Sequence, residues 1–571
     1  MGTVGTGRPC KWYNNYKQIT MKDKRTPNAP ESFKEIFEAH YTWIEGFNRN
    51  VRRYYDRMAM IDPKSGRQWT YKELDNEVNR LANSLVKDGF GKGDVIMVMT
   101  QNCPEFAFAY VAPQKIRSVM SPVSFRLSPG ELAHNLSDSK PKVVLFDEKR
   151  KETVLQAVKI AGLKPRRLIV TDGLTEGGII SYHDYVAASS NREPECEGTK
   201  NIYDETTRLY TSGTTGRPKG VPLTSVNEVL SAHDIMIHFP MSFKDVTMNT
   251  TPWFHRGGIH CGGPCPTFYA GATLVVMNKF DADNTLRYVS RYHITFVIGV
   301  PTVLEELSDV QERNDYDLSS LSGIITMGSP LERSACLRYQ RLLTPNIYNG
   351  YGTTETLWNT FLRPFDLPEY AGTAGASMVD DNVRVVKIYD DHKAEPDEVV
   401  AMDSEETGEV IISSPAKSPY KYFDNEEETR NKYYKGFIYT GDLATWDKHQ
   451  YITILGRKDD MIISSGENIY PTEIEAVLNK HPKVADSIVT YVPDKIRGQV
   501  VTAYVVRKDK SLTPEDLDEF CKESPDIANF KRPRFYRFVE QIPRNATGKK
   551  LHVRIKAIAK DDLVNGLLYR V

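Results

Sequence analysis

Between Arg208 and Val221 the chain reads Arg-Leu-Tyr-Thr-Ser-Gly-Thr-Thr-Gly-Arg-Pro-Lys-Gly-Val. Leu209 and Tyr210 lead into a loop of small hydroxyl and glycine residues that closes on Pro218-Lys219-Gly220. Gly213 and Gly216 allow positive φ, so successive N–H groups can point into one concavity that suits an anion. The hydroxyls of Thr211, Ser212, Thr214 and Thr215 add donors, and Lys219 adds a point charge. This is chemistry for holding a polyphosphate. It is not a Walker A loop, which needs Gly-x-x-x-x-Gly-Lys-Ser/Thr; here a proline precedes Lys219 and a glycine follows it. Taken alone, the same string also reads as a flexible surface loop.

The 571 residues suffice for several domains and a large core. The formal net charge of −1 offers no basic excess to neutralise nucleic-acid phosphates, so no nucleic-acid partner is expected. Seven cysteines, mostly scattered, fit a reducing compartment rather than a disulfide framework. The one close pair, Cys261 and Cys265, has no second pair near it and reads as buried thiols rather than zinc ligands. No run approaches the roughly 18 apolar residues of a membrane helix, and the first twenty residues lack the apolar stretch of a secretory signal. The expected setting is the cytoplasm, or an organelle matrix that holds ATP and CoA.

Along the chain, the spacing predicts an amphipathic helix over about Ser32–Arg49. A second begins at Thr70, whose side chain and Glu73 form a capping box ahead of Leu74, Val78, Leu81 and Leu85. Apolar runs at Asp94–Met99, Val119–Val123, Lys142–Phe146 and Arg167–Val170 alternate with helical stretches, which implies βαβ units and a parallel sheet. Further strands are predicted at Thr273–Met277, Thr295–Val300, Ile324–Met327 and Gly408–Ser413, and a helix at Ser225–His238. A boundary falls at Gly456–Asp460, giving domains 1–457 and 458–571. The smaller one, with helices at Pro471–Lys480 and Pro514–Cys521 and strands at Val484–Val492 and Val500–Val506, is large enough for an independent α+β unit.

The Thr211–Gly220 loop resembles the phosphate-binding signature of the adenylate-forming superfamily, which includes acyl- and aryl-CoA ligases, luciferase-like enzymes and peptide-synthetase adenylation domains. Other motifs follow in family order, so that the similarity spans about residues 50–560. Asn349-Gly350-Tyr351-Gly352-Thr353-Thr354-Glu355 is similar to the adenine and metal segment, Gly328-Ser329-Pro330 to the loop on the adenine's other side, and Tyr439-Thr-Gly-Asp442 to the segment whose aspartate takes the ribose hydroxyls. The resemblance implies a large N-terminal domain of βαβ subdomains with a β-barrel-like part, plus a small mobile α+β C-terminal domain. It implies Tyr351 against the purine, Thr354 on phosphate, Glu355 on Mg²⁺, Arg457 beside Asp442, and Lys549, in Pro543-Arg-Asn-Ala-Thr-Gly-Lys549, as the catalytic lysine. Asp459 matches the hinge position. Ser465 and Gly466, with Arg497, Phe530, Arg532 and Arg534, match positions that serve CoA. Lys115-Ile-Arg-Ser118 departs from the family, where Gly and Ala are usual.

His255 occupies the gating position near the acyl carbon, with Arg256, Gly257, Val300, Met327 and Trp358 as further acyl-pocket candidates and His260 as a neighbour able to face a polar group. No aspartate stands in Phe254–Gly257 to hold an amino group, which argues against amino acids. The implied reaction joins a carboxylic acid to AMP with release of pyrophosphate, then to CoA. Two other readings stay open: transfer of the acyl group to a carrier protein or to oxygen, and a non-catalytic nucleotide-binding relative. The implied partners are a small carboxylic acid, ATP with Mg²⁺, and CoA, with a homo-oligomer left open.

Overall fold

The structure, a computed structural model, describes the backbone from residue 30 to 571 except residues 174, 176, 213–217, 390, 465–466, 496 and 545–548. Two sheets carry most of the large N-terminal region. In the first, Val95–Met99, Val119–Pro122, Val143–Phe146, Arg167–Val170 and Ile179–Ser181 run parallel, as the apolar runs predicted. Val95–Met99 is buried along its whole length, the mark of a central parallel strand covered on both faces. Glu205–Ser212 and Pro218–Thr224 close this seven-stranded sheet as an antiparallel hairpin in which Thr211 faces Lys219 and Ser212 faces Pro218. The strands thus extend further than the sequence suggested: Lys219 stands on a strand, and Gly213, Thr214, Thr215 and Gly216 lie outside the described residues.

The second sheet has nine strands, with Val246–Asn249, Phe296–Gly299, Gly323–Met327 and Ile347–Thr353 parallel at its centre and Leu357–Leu362 turned back against the last of them. The helix beginning at Tyr71 starts with the predicted capping box, the Thr70 side chain accepting from Glu73 and Glu73 reaching back. The helix expected over Ser32–Arg49 is instead two, Pro30–His40 and Trp43–Arg53. Thr42 breaks it by capping the second helix, accepting from the Glu45 N–H.

The barrel-like part is a five-stranded antiparallel sheet in which Phe437–Trp446 pairs with both Gly408–Ser413 and Ile452–Arg457. The C-terminal unit is a six-stranded mixed sheet built on the Val484–Asp494/Gly498–Arg507 hairpin, with helices Pro471–Leu478, Pro514–Glu523 and His552–Val564. Among the described residues no helix is long and apolar enough to cross a membrane.

Lys115 and Arg117, the departure from the family pattern, are held by acids. Lys115 is fully buried and ion-paired with Asp75 at 2.8 Å and Glu193 at 2.5 Å, while Arg117 grips both carboxylate oxygens of Asp204 at 2.8 and 2.9 Å.

Candidate active site

The site forms where the central strands of the nine-stranded sheet end. Gly323–Met327 and Ile347–Thr353 are parallel neighbours with Met327 opposite Gly350, so Gly328-Ser329-Pro330 and Tyr351 leave the sheet side by side. Gly328 sits at φ +83°, a conformation that favours glycine. A Cβ at Gly352 would lie 1.6 Å from the Leu357 carbonyl oxygen and one at Gly350 within 2.7 Å of the Trp358 indole, so the segment tolerates only glycine there. Asn349 donates to the Thr373 carbonyl at 3.4 Å, while its own Oδ1 is buried with no partner, and Thr353 bonds Thr356 through their hydroxyls.

Asp442 stands at the centre of a hydrogen-bonded group. Tyr351 donates its hydroxyl to Oδ2 at 2.7 Å, and Arg457, its antiparallel partner, donates to Oδ1 at 2.7 Å and to the Thr440 carbonyl at 2.8 Å. Burial works against the Asp442 charge, yet its pKa is lowered because Arg457 and Lys549 both lie within electrostatic reach. Lys549, from near the end of the chain, thus lies within electrostatic reach of the group that Tyr351, Asp442 and Arg457 make. Burial beside the carboxylate pushes the Tyr351 phenol well up, so it stays a donor.

The phosphate side holds residues that sequence reasoning missed. Glu355 is nearly buried, and Tyr422 donates its hydroxyl to it at 2.5 Å. Lys219 lies 5.4 Å from the centre of the Tyr422 ring and is ion-paired with Glu428. Lys432 donates to the Thr440 carbonyl at 3.0 Å; burial depresses its pKa while the charges of Glu355 and Asp442 oppose that fall. All three lie in Tyr422–Lys432, a stretch with three consecutive glutamates that reads as a solvated acidic helix start. The only available signal was its place just ahead of Tyr439–Asp442.

On the acyl side, Gly257 packs against Met327, whose Sδ and Cε would lie 2.9 Å from a Cβ there, and Val300 approaches Gly328. Met327 and Trp358 belong to one apolar cluster with Phe239 and Phe361. The His255 Nε2 is buried without a partner, and burial, helped by the nearby Arg126 charge, pushes the imidazole down to about 3.

Arg256, a pocket candidate, and its neighbour His260 are both held by other partners. Arg256 is buried with its guanidinium turned away, donating to the Thr354 carbonyl at 2.7 Å, the Lys417 carbonyl at 2.6 Å and Ser231 at 3.4 Å. It therefore braces the segment that carries Glu355 rather than lining the pocket. His260 is fully buried against Glu228 at 2.5 Å, and Glu228 also accepts from Tyr110 and Thr206. Although burial opposes its charge, His260 and the Tyr110 hydroxyl hold the Glu228 carboxyl down to about 2. Cys265, a free buried thiol, donates to the Glu228 carbonyl in the same knot, while Cys261 is buried and free nearby.

Of the positions matched to CoA, Ser465 and Gly466 lie outside the described residues. Arg532 pairs with Asp518, and Arg534 donates to the Asn529 carbonyl at 3.4 Å. Both guanidinium pKa values are lowered by burial and by the charge of Arg497, so the three arginines converge. Phe530 beside them is 46% exposed. Asp459 is exposed in the short turn Lys458–Asp460.

Parallel strands that end beside the Tyr351–Asp442–Arg457 group, followed by a small C-terminal α+β unit, define an adenylate-forming fold, and the chain belongs to the AMP-binding enzyme family. The family model of the AMP-binding enzyme matches residues 47–419, and that of its C-terminal domain matches 473–549. The chain is similar to the long-chain-fatty-acid–CoA ligase FadD13 of Mycobacterium tuberculosis, 30% identical over 86% of this chain and 93% of the relative. It is equally similar, at 30% over 90% and 99%, to the 2-succinylbenzoate–CoA ligase of Bacillus licheniformis. Among solved structures, the o-succinylbenzoate coenzyme A synthetase of Bacillus subtilis in complex with ATP and magnesium ion superposes with a TM-score of 0.77 at 26% identity, covering 90% of this chain and 99% of that one.

Proposed function

We propose that this protein is an AMP-forming acid–CoA ligase, in which residues 1–457 bind ATP and the acid and residues 458–571 move about Asp459 to serve two half-reactions in turn. The observation that carries this reading is the Tyr351–Asp442–Arg457 hydrogen-bonded group in a chain that the AMP-binding enzyme model matches over residues 47–419, with the Lys549 charge reaching Asp442.

A carboxylate is a poor electrophile because its leaving group would be oxide. Its oxygen attacks the ATP α-phosphorus, the new O–P bond forms as the bond to the β-phosphate breaks, and pyrophosphate leaves with the electron pair. Negative charge gathers on the phosphate oxygens, where Lys219, the loop N–H groups and Lys549 oppose it. Asp442 with Tyr351 and Arg457 fixes the sugar, and Asn349, Gly350 and Gly328–Pro330 flank the base. The Glu355 carboxylate, an oxygen donor whose present partner is one phenol hydroxyl, fits Mg²⁺, which neutralises phosphate charge when bound there. No protein nucleophile is needed, because positioning and fixed charge carry the step.

In the second half-reaction the CoA thiol gives up its proton and attacks the acyl carbon. A C–S bond forms, the C–O bond breaks, and AMP leaves. Arg497, Arg532 and Arg534 suit the anionic CoA nucleotide, with Phe530 exposed to stack on its base. The neutral His255 stands at the acyl carbon, and Gly257, Val300, Met327 and Trp358 make an apolar wall suited to a medium-size aliphatic, alicyclic or aromatic acid. Such an enzyme works in a cytosol or organelle matrix that supplies ATP and CoA, as a single chain or a homo-oligomer.

The test is incubation with ATP, Mg²⁺ and a panel of C4–C12 aliphatic, cyclohexane and aromatic acids, with and without CoA. The expected products are pyrophosphate, AMP and the acyl-CoA. Pyrophosphate release with every CoA reaction silent would transfer the second step to another acceptor, and no pyrophosphate from any acid would overturn the reading.

A further inference from the structure

The cation of the phosphate loop is not waiting for its ligand. Lys219 is ion-paired with Glu428, and both side chains are largely withdrawn from water, 8% and 18% exposed. The contact is built in. The Phe423 N–H donates to the Gly220 carbonyl at 2.8 Å, which ties the segment before Glu428 to the strand that carries Lys219. Asn425 caps the Glu426–Lys432 helix by accepting from the Glu428 N–H at 3.1 Å, which fixes the backbone from which the carboxylate projects. Tyr422 joins the two halves of the site: its ring lies beneath the Lys219 ammonium and its hydroxyl binds Glu355. The Glu428 charge also reaches that phenol, so two carboxylates flank one tyrosine and one lysine.

We propose that Glu428 is a displaceable counter-ion for Lys219, a positioning residue that competes with the triphosphate for the lysine. A polyphosphate brings several negative charges to this point, and Glu428 must surrender Lys219 and turn toward solvent before those charges are matched. Once the α–β bond has broken, the same carboxylate recaptures Lys219 and weakens the hold on pyrophosphate. Glu428 thus raises the KM for ATP and speeds the release of the first product. The proposal rests on the reading of Lys219 as a phosphate ligand.

The test compares the full-length wild type with Glu428→Gln, Glu428→Asp and Lys219→Ala, alone and in the pair Lys219→Ala/Glu428→Gln. Binding of the Mg²⁺ complex of α,β-methylene-ATP and of pyrophosphate is measured by calorimetry, which needs no acid substrate, and kcat and KM follow in the assay above. Glu428→Gln is expected to bind both ligands about threefold to tenfold more tightly, the upper figure being about 1.4 kcal/mol. Its KM for ATP falls in proportion, and its kcat falls if pyrophosphate release limits turnover. Glu428→Asp, which keeps the charge, binds less tightly than Glu428→Gln, and the gain disappears in the Lys219→Ala background. Unchanged or weaker binding by Glu428→Gln overturns the proposal, as does a raised Mg²⁺ requirement, which would make Glu428 a metal ligand. If the wild type binds nucleotide but Glu428→Gln binds no tighter, this inference alone fails; if the wild type binds no nucleotide, the proposed function fails with it.

Discussion

Lys417→Met should cost the N-terminal domain more stability than any single change at the nucleotide site. Lys417 is fully buried, and its ammonium donates to Asp234 at 2.5 Å, Asp381 at 2.6 Å and the Trp358 carbonyl at 2.6 Å. Methionine has similar length but leaves two carboxylates in the interior without their common cation. Breaking a buried pair in this way costs about 3–5 kcal/mol. At about 2.1 cal/mol/K of unfolding entropy per residue, a domain of roughly 450 residues shifts by about 1 °C per kcal/mol, so the first thermal transition should fall by about 3–5 °C. The dependence on pH tests the mechanism. In the wild type, burial opposes the Asp234 charge but His238 and Lys417 hold its pKa below the ordinary value, whereas burial keeps Asp381 above it despite Lys417. Without the cation, both carboxyls move above their unfolded values. The unfolded state then binds fewer protons than the folded one over that window, so the variant loses stability as pH rises through it. The gap between wild type and variant is therefore wider at pH 8 than at pH 5 in differential scanning calorimetry. A fall in Tm below about 1 °C, or a gap that widens on acidification, would refute this account of the triad.

Two further predictions concern the chemistry. Lys549→Ala should lower the rate of pyrophosphate release roughly 10²–10³-fold in single-turnover assays, while thioester formation from supplied acyl adenylate falls less than about tenfold; equal losses would rule out the two-pose scheme. His255, pushed down to about 3, is neutral between pH 5 and 9, so the acid limb of kcat/KM should be the same in wild type and His255→Phe. Its folded pKa lies below the unfolded value, so acidification from about 6.5 towards 3 takes stability from the wild type that the phenylalanine variant keeps.

Much of the nucleotide site was legible because its chemistry is local. The Asn349–Glu355 run needs Gly350 and Gly352 to pass the Trp358 ring and the Leu357 carbonyl, and Asp442 meets Arg457, only fifteen residues on, through a strand pairing. The βαβ units were legible for a similar reason, since fully buried strands such as Val95–Met99 are continuous apolar runs. What stayed hidden depends on contacts between distant segments. Lys417 in Ser414-Pro-Ala-Lys-Ser418 reads as a turn cation, yet its acids lie 183 and 36 residues away. Arg256 sits within a pocket motif, and nothing local shows that its guanidinium serves the Thr354 carbonyl 98 residues on. Glu428 is one of three adjacent glutamates, and only the fold selects the one that meets Lys219.

The two candidate functions of the C-terminal unit impose an order on the proposed reaction. Lys549 and the arginines Arg497, Arg532 and Arg534 lie on loops of one small C-terminal unit, so in the proposed reaction a pose that presents Lys549 to Asp442 also sets where the arginines stand relative to the nucleotide. If CoA needs a different position, the acid and ATP must react before the thiol can enter. Among the described residues, three contacts tie the unit to the rest of the chain near residue 459. Thr472 donates its hydroxyl to the Leu455 carbonyl, Tyr470 is bonded to Thr407, and Lys458 lies 3.7 Å from Glu409 with a third of its side chain exposed. Hydrogen bonds of this kind contribute about 1 kcal/mol each and a solvent-facing ion pair less. In the proposed two half-reactions, contacts of this strength would let the loss of charge attraction to Lys549, once pyrophosphate has left, move the unit toward the position that serves CoA.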